Sequence, residues 1–407
     1  PSRYDSFWTP TGVLDWNTDV NNTWGQDGFW TKPNNTKETA SNTTGTQGRI
    51  PFGVSGTGDD WHLSGITVIK VGDTYKMWYG ASDGGNYRIF AATSPDALTW
   101  TKVNNDTNTT KQNTGQPSNG GRVLIGSSGT GDSVHIFKPT VLYDADSSTY
   151  YMWYHGYDGS KYRTFGATSS DGLTWTKINN ATPDANDAGG SGGRIPLGTA
   201  GKGDASAAYY PTVMKEDGIF KMWYSGSDGT NVRIYYATST DGSTWIKYDN
   251  SISGAVLDIG ASGDLDDKHA FMPSITKVGN TYHMAYAGYN TSATRYSILR
   301  AYSYDGLSWV KTNNTLSIPA DSDSTSTSNL IPFGSNGKLD DDYAYMPEIL
   351  ADGDLFRMWY IGGDASRQLI GYAYSYFGDS WDENLVAYYK FDDVSGTTVY
   401  HSARGRN

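Results

Sequence analysis

Apolar and polar residues alternate along most of the chain with a period of two, the spacing of a strand that buries one face. The alternation comes in short runs broken by Gly, Asp and Asn, and no stretch keeps the 3.6-residue period of an amphipathic helix. Around residue 80 the runs 67–71, 75–79, 87–93 and 100–103 read as four strands. Asp-Gly pairs between such runs, as at Asp158-Gly159 and Asp228-Gly229, are hairpin signals. The expectation is an all-β chain of short antiparallel hairpins.

The same four-run pattern recurs. Met-Trp-Tyr stands at 77–79, 152–154, 222–224 and 358–360, with Met-Ala-Tyr at 284–286. Each copy is followed by a run carrying an arginine: Arg88, Arg163, Arg233, Arg295 and Arg367. Each then ends in a Ser-x-Asp hairpin or a worn version of it, closing at Trp100, Trp175, Trp245, Trp309 and Trp381. Self-similarity at roughly 70 residues marks one structural unit repeated, and four strands repeated five times predict a five-bladed β-propeller of four-stranded antiparallel blades. A stacked solenoid is the rival, but its repeats are usually much shorter.

A further copy of the closing hairpin, Asp27-Gly28-Phe29-Trp30-Thr31-Lys32, precedes the first unit in register. Residues 1–48 therefore read as an N-terminal arm whose strand closes the ring, the alternative being a lone hairpin packed on its side. Residues 49–384 read as the propeller. At 385 the chain changes character: Tyr389-Lys390-Phe391-Asp392 and Gly396-Thr397-Thr398-Val399 resemble the opening of a laminin-G-like, concanavalin-type β-sandwich, so 385–407 read as its truncated start or as a linker.

Composition narrows the class. The 407 residues include no cysteine, which a core of this size does not need and which excludes thiolate zinc and thiol redox sites. Asp and Glu total 43 against 31 Lys and Arg, and a net charge of −12 argues against a nucleic-acid partner. No apolar run approaches the ~18 residues of a membrane span. The start, Pro1-Ser2-Arg3, reads as that of a mature or trimmed chain, with an extracellular or cell-surface location expected. Asn/Thr-rich loops permit glycosylation and self-association.

The order Met-Trp-Tyr, Arg, then Ala-Thr-Ser-x-Asp-Gly-x-Thr-Trp, as at 167–175, resembles the five-bladed glycoside hydrolase superfamily of arabinanases, family-43 glycosidases, levansucrases and invertases. That resemblance implies a secreted, carbohydrate-acting protein with paired acidic catalysts and a polysaccharide or oligosaccharide partner. It also implies an Asp just before a proline in the first unit's inner strand. Here the slot holds Ile66, Pro139, Pro211, Pro273 and Pro347, preceded by Gly65, Lys138, Tyr210, Met272 and Met346. None is acidic, so the expected base is missing from its place.

Other positions offer chemistry. Seven residues before the slot every unit has an Asp (59, 132, 204, 266, 340), which reads as a cap on the loop entering the strand. Beside it a second acid occurs only at Asp60, Asp267 and Asp341, and Glu348 alone is acidic just after the slot. If these gather on one arc, they supply the acid and base of an inverting glycosidase, a Ca²⁺ site, or only a solvated rim. His62, His135 and His269 share one equivalent position and can face a common channel holding a divalent cation, or each can bind its own blade's loop. Trp61, Phe137, Tyr209, Tyr210, Phe271 and Tyr345, with Lys138, are the expected substrate contacts at the channel mouth. Three functions remain open: an inverting hydrolase, a non-catalytic glycan-binding adhesion protein, and a self-assembling surface protein.

Overall fold

The computed structural model describes residues 32, 44–45, 47–53, 57–103, 123–178, 194–292, 295–312, 339–340, 342–363 and 368–376. Asp341, Arg367, Trp381, most of the N-terminal arm and the laminin-G-like start at 385–407 lie outside the described residues.

The period-two runs fold as antiparallel sheets. A short β1 (Thr44–Gly45) pairs with the outer edge of the first unit, β2 (His62–Val71), β3 (Thr74–Ser82), β4 (Arg88–Ser94) and β5 (Trp100–Val103). The second unit is β6 (His135–Asp144), β7 (Thr149–Tyr157), β8 (Tyr162–Ser169) and β9 (Thr176–Lys177). The third is β10 (Ala207–Glu216), β11 (Ile219–Ser227), β12 (Val232–Ser239) and β13 (Ile246–Lys247). The fourth is β14 (His269–Val278), β15 (Thr281–Asn290), β16 (Arg295–Ser303) and β17 (Val310–Thr312). The last is β18 (Tyr343–Asp352), β19 (Leu355–Gly363) and β20 (Gln368–Tyr376). Within each unit neighbours in sequence are neighbours in the sheet, and one parallel contact, Val232 with His269, joins the third and fourth units. The first strands of successive units touch in cyclic order, β18 returning to β2, which gives a propeller-like ring.

The first strands begin earlier than the alternation predicts, because a bulge interrupts it. Register breaks at the same place in all five, between Ser64 and Ile66 in β2 and between Tyr345 and Glu348 in β18. The bulged residue has a left-handed backbone in each: Gly65 (φ 28°), Lys138 (47°), Tyr210 (53°), Met272 (54°) and Met346 (51°). Proline follows in four of them. It has no N–H for the ladder, and a bulge is one of the few places within a sheet that accepts it.

Two repeated contacts hold the ring. In the first, the Met-Trp-Tyr indole reaches the hairpin of the next unit. Trp78, Trp153 and Trp223 donate to the carbonyls of Gly172, Gly242 and Gly306 at 2.9, 3.0 and 2.7 Å. They pack edge-on to Trp175, Trp245 and Trp309. Trp359 of the last unit repeats the contact on Gly48 and on Trp100 of the first unit. In the fourth unit Ala285 replaces the indole.

In the second contact, each fully buried loop Asp accepts from the Met-Trp-Tyr tyrosine and from a lysine two residues past the closing Trp. Asp59 receives Tyr79 at 3.0 Å and Lys102 at 2.6 Å. Asp132 receives Tyr154 and Lys177, Asp204 receives Tyr224 and Lys247, and Asp266 receives Tyr286 and Lys311. Asp340 of the last unit receives Tyr360 at 3.0 Å and, from the upstream hairpin copy, Lys32 at 2.6 Å.

The arginine pattern holds in only part of the chain. Arg88, Arg163 and Arg233 pair with Asp83, Asp158 and Asp228. Arg163 and Arg233 lie opposite Gly156 and Gly226, but the corresponding partner of Gly288 in the fourth unit is Ser297, while Arg295 faces Asn290. The equivalence read for Arg295 is therefore two residues out of register.

The hairpin acids are structural. Asp171 accepts from the amides of Leu173 and Thr174 at 2.7 Å each. Burial pushes its carboxyl up, but these amides outweigh it and hold it at about 2. The amides of Ser308 and Leu307 hold Asp305 at about 2 as well.

Two outcomes follow from these contacts. Lys32→Met removes the cation from a fully buried carboxylate and is expected to cost roughly 3–5 kcal/mol in urea denaturation, comparable to Lys102→Met. If Lys32→Met is neutral while Lys102→Met is not, the upstream hairpin does not hold the last unit. A carboxyl held below its ordinary 3.8 stabilises the fold above that pH, and the contribution of Asp171 and Asp305 disappears as pH falls through about 2. Urea midpoints at pH 5, 3 and 2 should fall in that order, and Asp171→Asn should flatten the decline.

Candidate functional site

The bulges send the side chains of Lys138, Tyr210, Met272 and Met346 inward, and all four are buried. Gly65 in the first unit makes room for this, since a Cβ there would sit 2.4 Å from Cα of Lys138. The Ser64 hydroxyl packs 3.4 Å from Sδ of Met346, and the Met272 amide donates to Oγ of Ser225 at 2.9 Å. The described side chains thus fill the convergence point, where the sequence reading expected a channel.

Two residues past the bulged one, a polar side chain staples the backbone of the next unit. Thr67 Oγ1 accepts from the Val141 amide at 3.3 Å and Ser274 Oγ from the Ile349 amide at 2.9 Å. Glu348 occupies the same place and accepts from the Val68 amide at 3.2 Å. Being longer, it also takes hydrogen bonds from Thr67 at 3.0 Å and Ser274 at 3.1 Å, and stands 3.6 Å from Nζ of Lys138. Lys138 Nζ donates to the Ile66 carbonyl at 3.1 Å. Burial pushes the Glu348 carboxyl up against the pull of Lys138, and burial pushes the Lys138 ammonium down against the pull of Glu348. Both shifts express the desolvation cost of a buried ion pair.

Glu348 lies within β18, whereas Asp267 lies in the loop before β14, seven residues ahead of Ser274. Its carboxylate accepts from the Thr291 amide at 2.8 Å, the Thr291 hydroxyl at 3.1 Å and the Gly263 amide at 3.0 Å. Burial raises its pKa, but these bonds outweigh it and hold the group low, as befits a loop cap. Asp60, half-buried, has the same seven-residue offset from Thr67.

The histidines staple neighbouring units. His135 Nδ1 accepts from the Tyr87 amide at 3.3 Å, and His269 Nδ1 from the Val232 amide at 3.2 Å. With Nδ1 accepting, the neutral ring carries its proton on Nε2, which leaves no lone pair for a cation. Burial lowers the pKa of both. His62 packs edge-on against Trp61 at 5.8 Å. Among the described residues no group of three or more His, Cys, Asp or Glu is placed to hold a metal ion.

The aromatic residues are brought together. A path of ring contacts runs Tyr157–Tyr162 (4.3 Å), Tyr162–Tyr209 (6.1 Å), Tyr209–Tyr210 (4.5 Å), Tyr210–Phe271 (6.4 Å), Phe271–Tyr296 (5.9 Å) and Tyr296–Tyr345 (5.3 Å). It follows the bulged ends of the first strands across four units. Phe137 joins it through Tyr210 at 6.2 Å, and Gln368 donates to the Tyr345 hydroxyl at 2.7 Å. Burial keeps the phenols of Tyr209, Tyr210 and Tyr345 protonated by raising their pKa. Tyr162 is 38% exposed and Trp61 45%. Sequence reasoning missed Tyr157, Tyr162, Tyr289 and Tyr296. Their signal was available: 157 with 162 and 289 with 296 are tyrosine pairs facing each other across a hairpin.

Comparison with known proteins supports the fold. No family model matches the chain. Two proteins of Mycobacterium tuberculosis, from strains CDC 1551 and H37Rv and both described only as uncharacterized, are 31% identical over 180 residues, covering 41% of this chain and 48% of each relative. The chain thus matches about half the length of those curated relatives. Among solved structures, a glycoside hydrolase superposes with a TM-score of 0.58 at 17% identity, over 84% of this chain and 92% of that one. A complex of BT0996 with RGII gives 0.56 at 17% identity, with the same shares covered. A structure from the GH130 family of mannoside phosphorylases, which contains glycoside hydrolases that target β-1,2-mannosidic linkages in Candida mannan, gives 0.52 at 15% identity, over 85% and 94%. The chain has the propeller-like fold of glycoside hydrolases.

The axial pair yields a double-mutant test. Lys138→Met leaves Glu348 buried without its cation and is expected to cost roughly 3–5 kcal/mol in urea denaturation. Adding Glu348→Gln should recover a kilocalorie or more of that loss. Additivity of the two substitutions within ~0.5 kcal/mol would show that they are not coupled.

Proposed function

We propose that the protein is a five-bladed, extracellular or cell-surface propeller that binds a polysaccharide or oligosaccharide on the tyrosine-paved end of its ring. The ring-contact path from Tyr157 to Tyr345, open at Tyr162, carries this reading. Tyrosine gives a large rigid apolar face with a hydroxyl at its edge, the combination that suits a sugar ring. Trp61, Phe137 and Tyr209 add surface of the same kind. A laminin-G-like module after residue 384 fits a glycan-directed protein.

Hydrolysis by Glu348 with Asp60, Asp267 or Asp341 is the weaker reading. The Glu348 carboxylate already takes three hydrogen bonds and stands 3.6 Å from Lys138 in a buried site, which commits it to holding the axis.

Calorimetric titration against neutral oligosaccharides tests it. The wild type should bind at least one without releasing reducing sugar, and Tyr162→Ala should weaken that binding about tenfold, as loss of an aromatic anchor does. Sustained release of reducing sugar would replace the binding reading with the hydrolytic one.

A further inference from the structure

His155 on β7 is 1% exposed, and neither ring nitrogen has a hydrogen-bond partner. Its imidazole is enclosed by aromatic rings: Phe137 stacked at 4.3 Å, Tyr210 at 4.7 Å, Tyr162 at 4.8 Å and Tyr209 at 5.3 Å. Burial, and then the nearby His135, drives its pKa down to about 3, so the ring is neutral and offers one donor and one acceptor. The fold does not require a polar group here. The residue after the Met-x-Tyr tyrosine is Gly80, Ala287 and Ile361 in three other units. In the remaining one Ser225 uses its hydroxyl on the Met272 amide. An unmet buried polar group destabilises the fold, so a partner absent from the free chain is the physical explanation to seek.

We infer that Phe137, His155, Tyr162, Tyr209 and Tyr210 form a saccharide subsite in which one sugar hydroxyl, entering between Tyr162 and Tyr209, gives His155 the hydrogen bond it lacks. The inference rests on the glycan-binding reading and assigns that surface a specificity-determining residue. Tyr162 is exposed enough to change rotamer on the ps–ns scale and so act as the gate. A sugar hydroxyl both donates and accepts, so it satisfies either nitrogen, and the tyrosine faces take the apolar side of the sugar ring. The subsite lies between the second and third units.

The test uses the full chain and, as probe, the tightest binder among neutral gluco-, manno-, xylo- and arabino-oligosaccharides. His155→Phe should raise the urea midpoint, because an unsatisfied imidazole is removed, while weakening the probe about tenfold. On the wild type, the imidazole ¹⁵N resonances of His155 should shift when the probe saturates. Unchanged probe affinity in a folded His155→Phe overturns the inference, and where that variant misfolds, unmoved ¹⁵N resonances overturn it instead. If no oligosaccharide binds the wild type, the glycan-binding reading fails and takes this inference with it. If Tyr296→Ala weakens the probe and His155→Phe does not, only this inference fails.

Discussion

Five strands that converge on one line compete for the volume at that line. Full-sized side chains from all five bulges would overlap, and the molecule resolves the conflict by making the units unequal. Gly65 contributes no side chain, and Lys138 of the next unit takes the vacated space. A buried ammonium then needs an anion, which Glu348 supplies from the unit on the other side of the glycine. Glycine, lysine and glutamate are therefore one compensated set. The staple position just past the bulge has Thr or Ser in the other four units, and Glu there is the variant long enough to reach the lysine while keeping its hold on the Val68 backbone.

Around that axis, the remaining stability comes from contacts repeated unit by unit. The loop carboxylates bind a tyrosine from their own unit's second strand and a lysine from an outer strand, so one buried charge ties three strand segments together. In the last unit the lysine comes from residue 32, so sequence-distant ends of the described chain share one ion pair. The indole contacts run between units and return from Trp359 to the first unit. A ring built this way has its acids committed to structure, and its polar chemistry is displaced to the rim.

At the bulged end the same geometry has another consequence. A bulge re-aims side chains at the start of each first strand, and the hairpin opposite presents tyrosines at the same height. The rings of four units meet there as a continuous aromatic cluster, mostly buried and open at Tyr162. His155 is buried beneath it, unpartnered where the other units are apolar or satisfied. Stacking rings and an unmet polar atom together suit a neutral ligand with an apolar ring face and hydroxyls at its edge, and neither depends on the axial carboxylate.

The sequence by itself determined the all-β class, the repeat and the hairpin turns, because these are local matters of periodicity and turn chemistry. It also showed where equivalence among the units is lost, at Gly65, Lys138 and Glu348. What that loss means was decided only in three dimensions. A one-dimensional slot records which residue types differ, but not that a bulge turns one of them inward while its neighbour two residues on becomes a staple. Seven residues of offset look adjacent in an alignment of units, yet Asp60 and Asp267 sit in the loops ahead of β2 and β14 while Glu348 lies within β18. The aromatic surface was half visible, since its first-strand members stand in aligned positions. The tyrosines that complete it sit on other strands, and only cross-strand pairing brings them alongside.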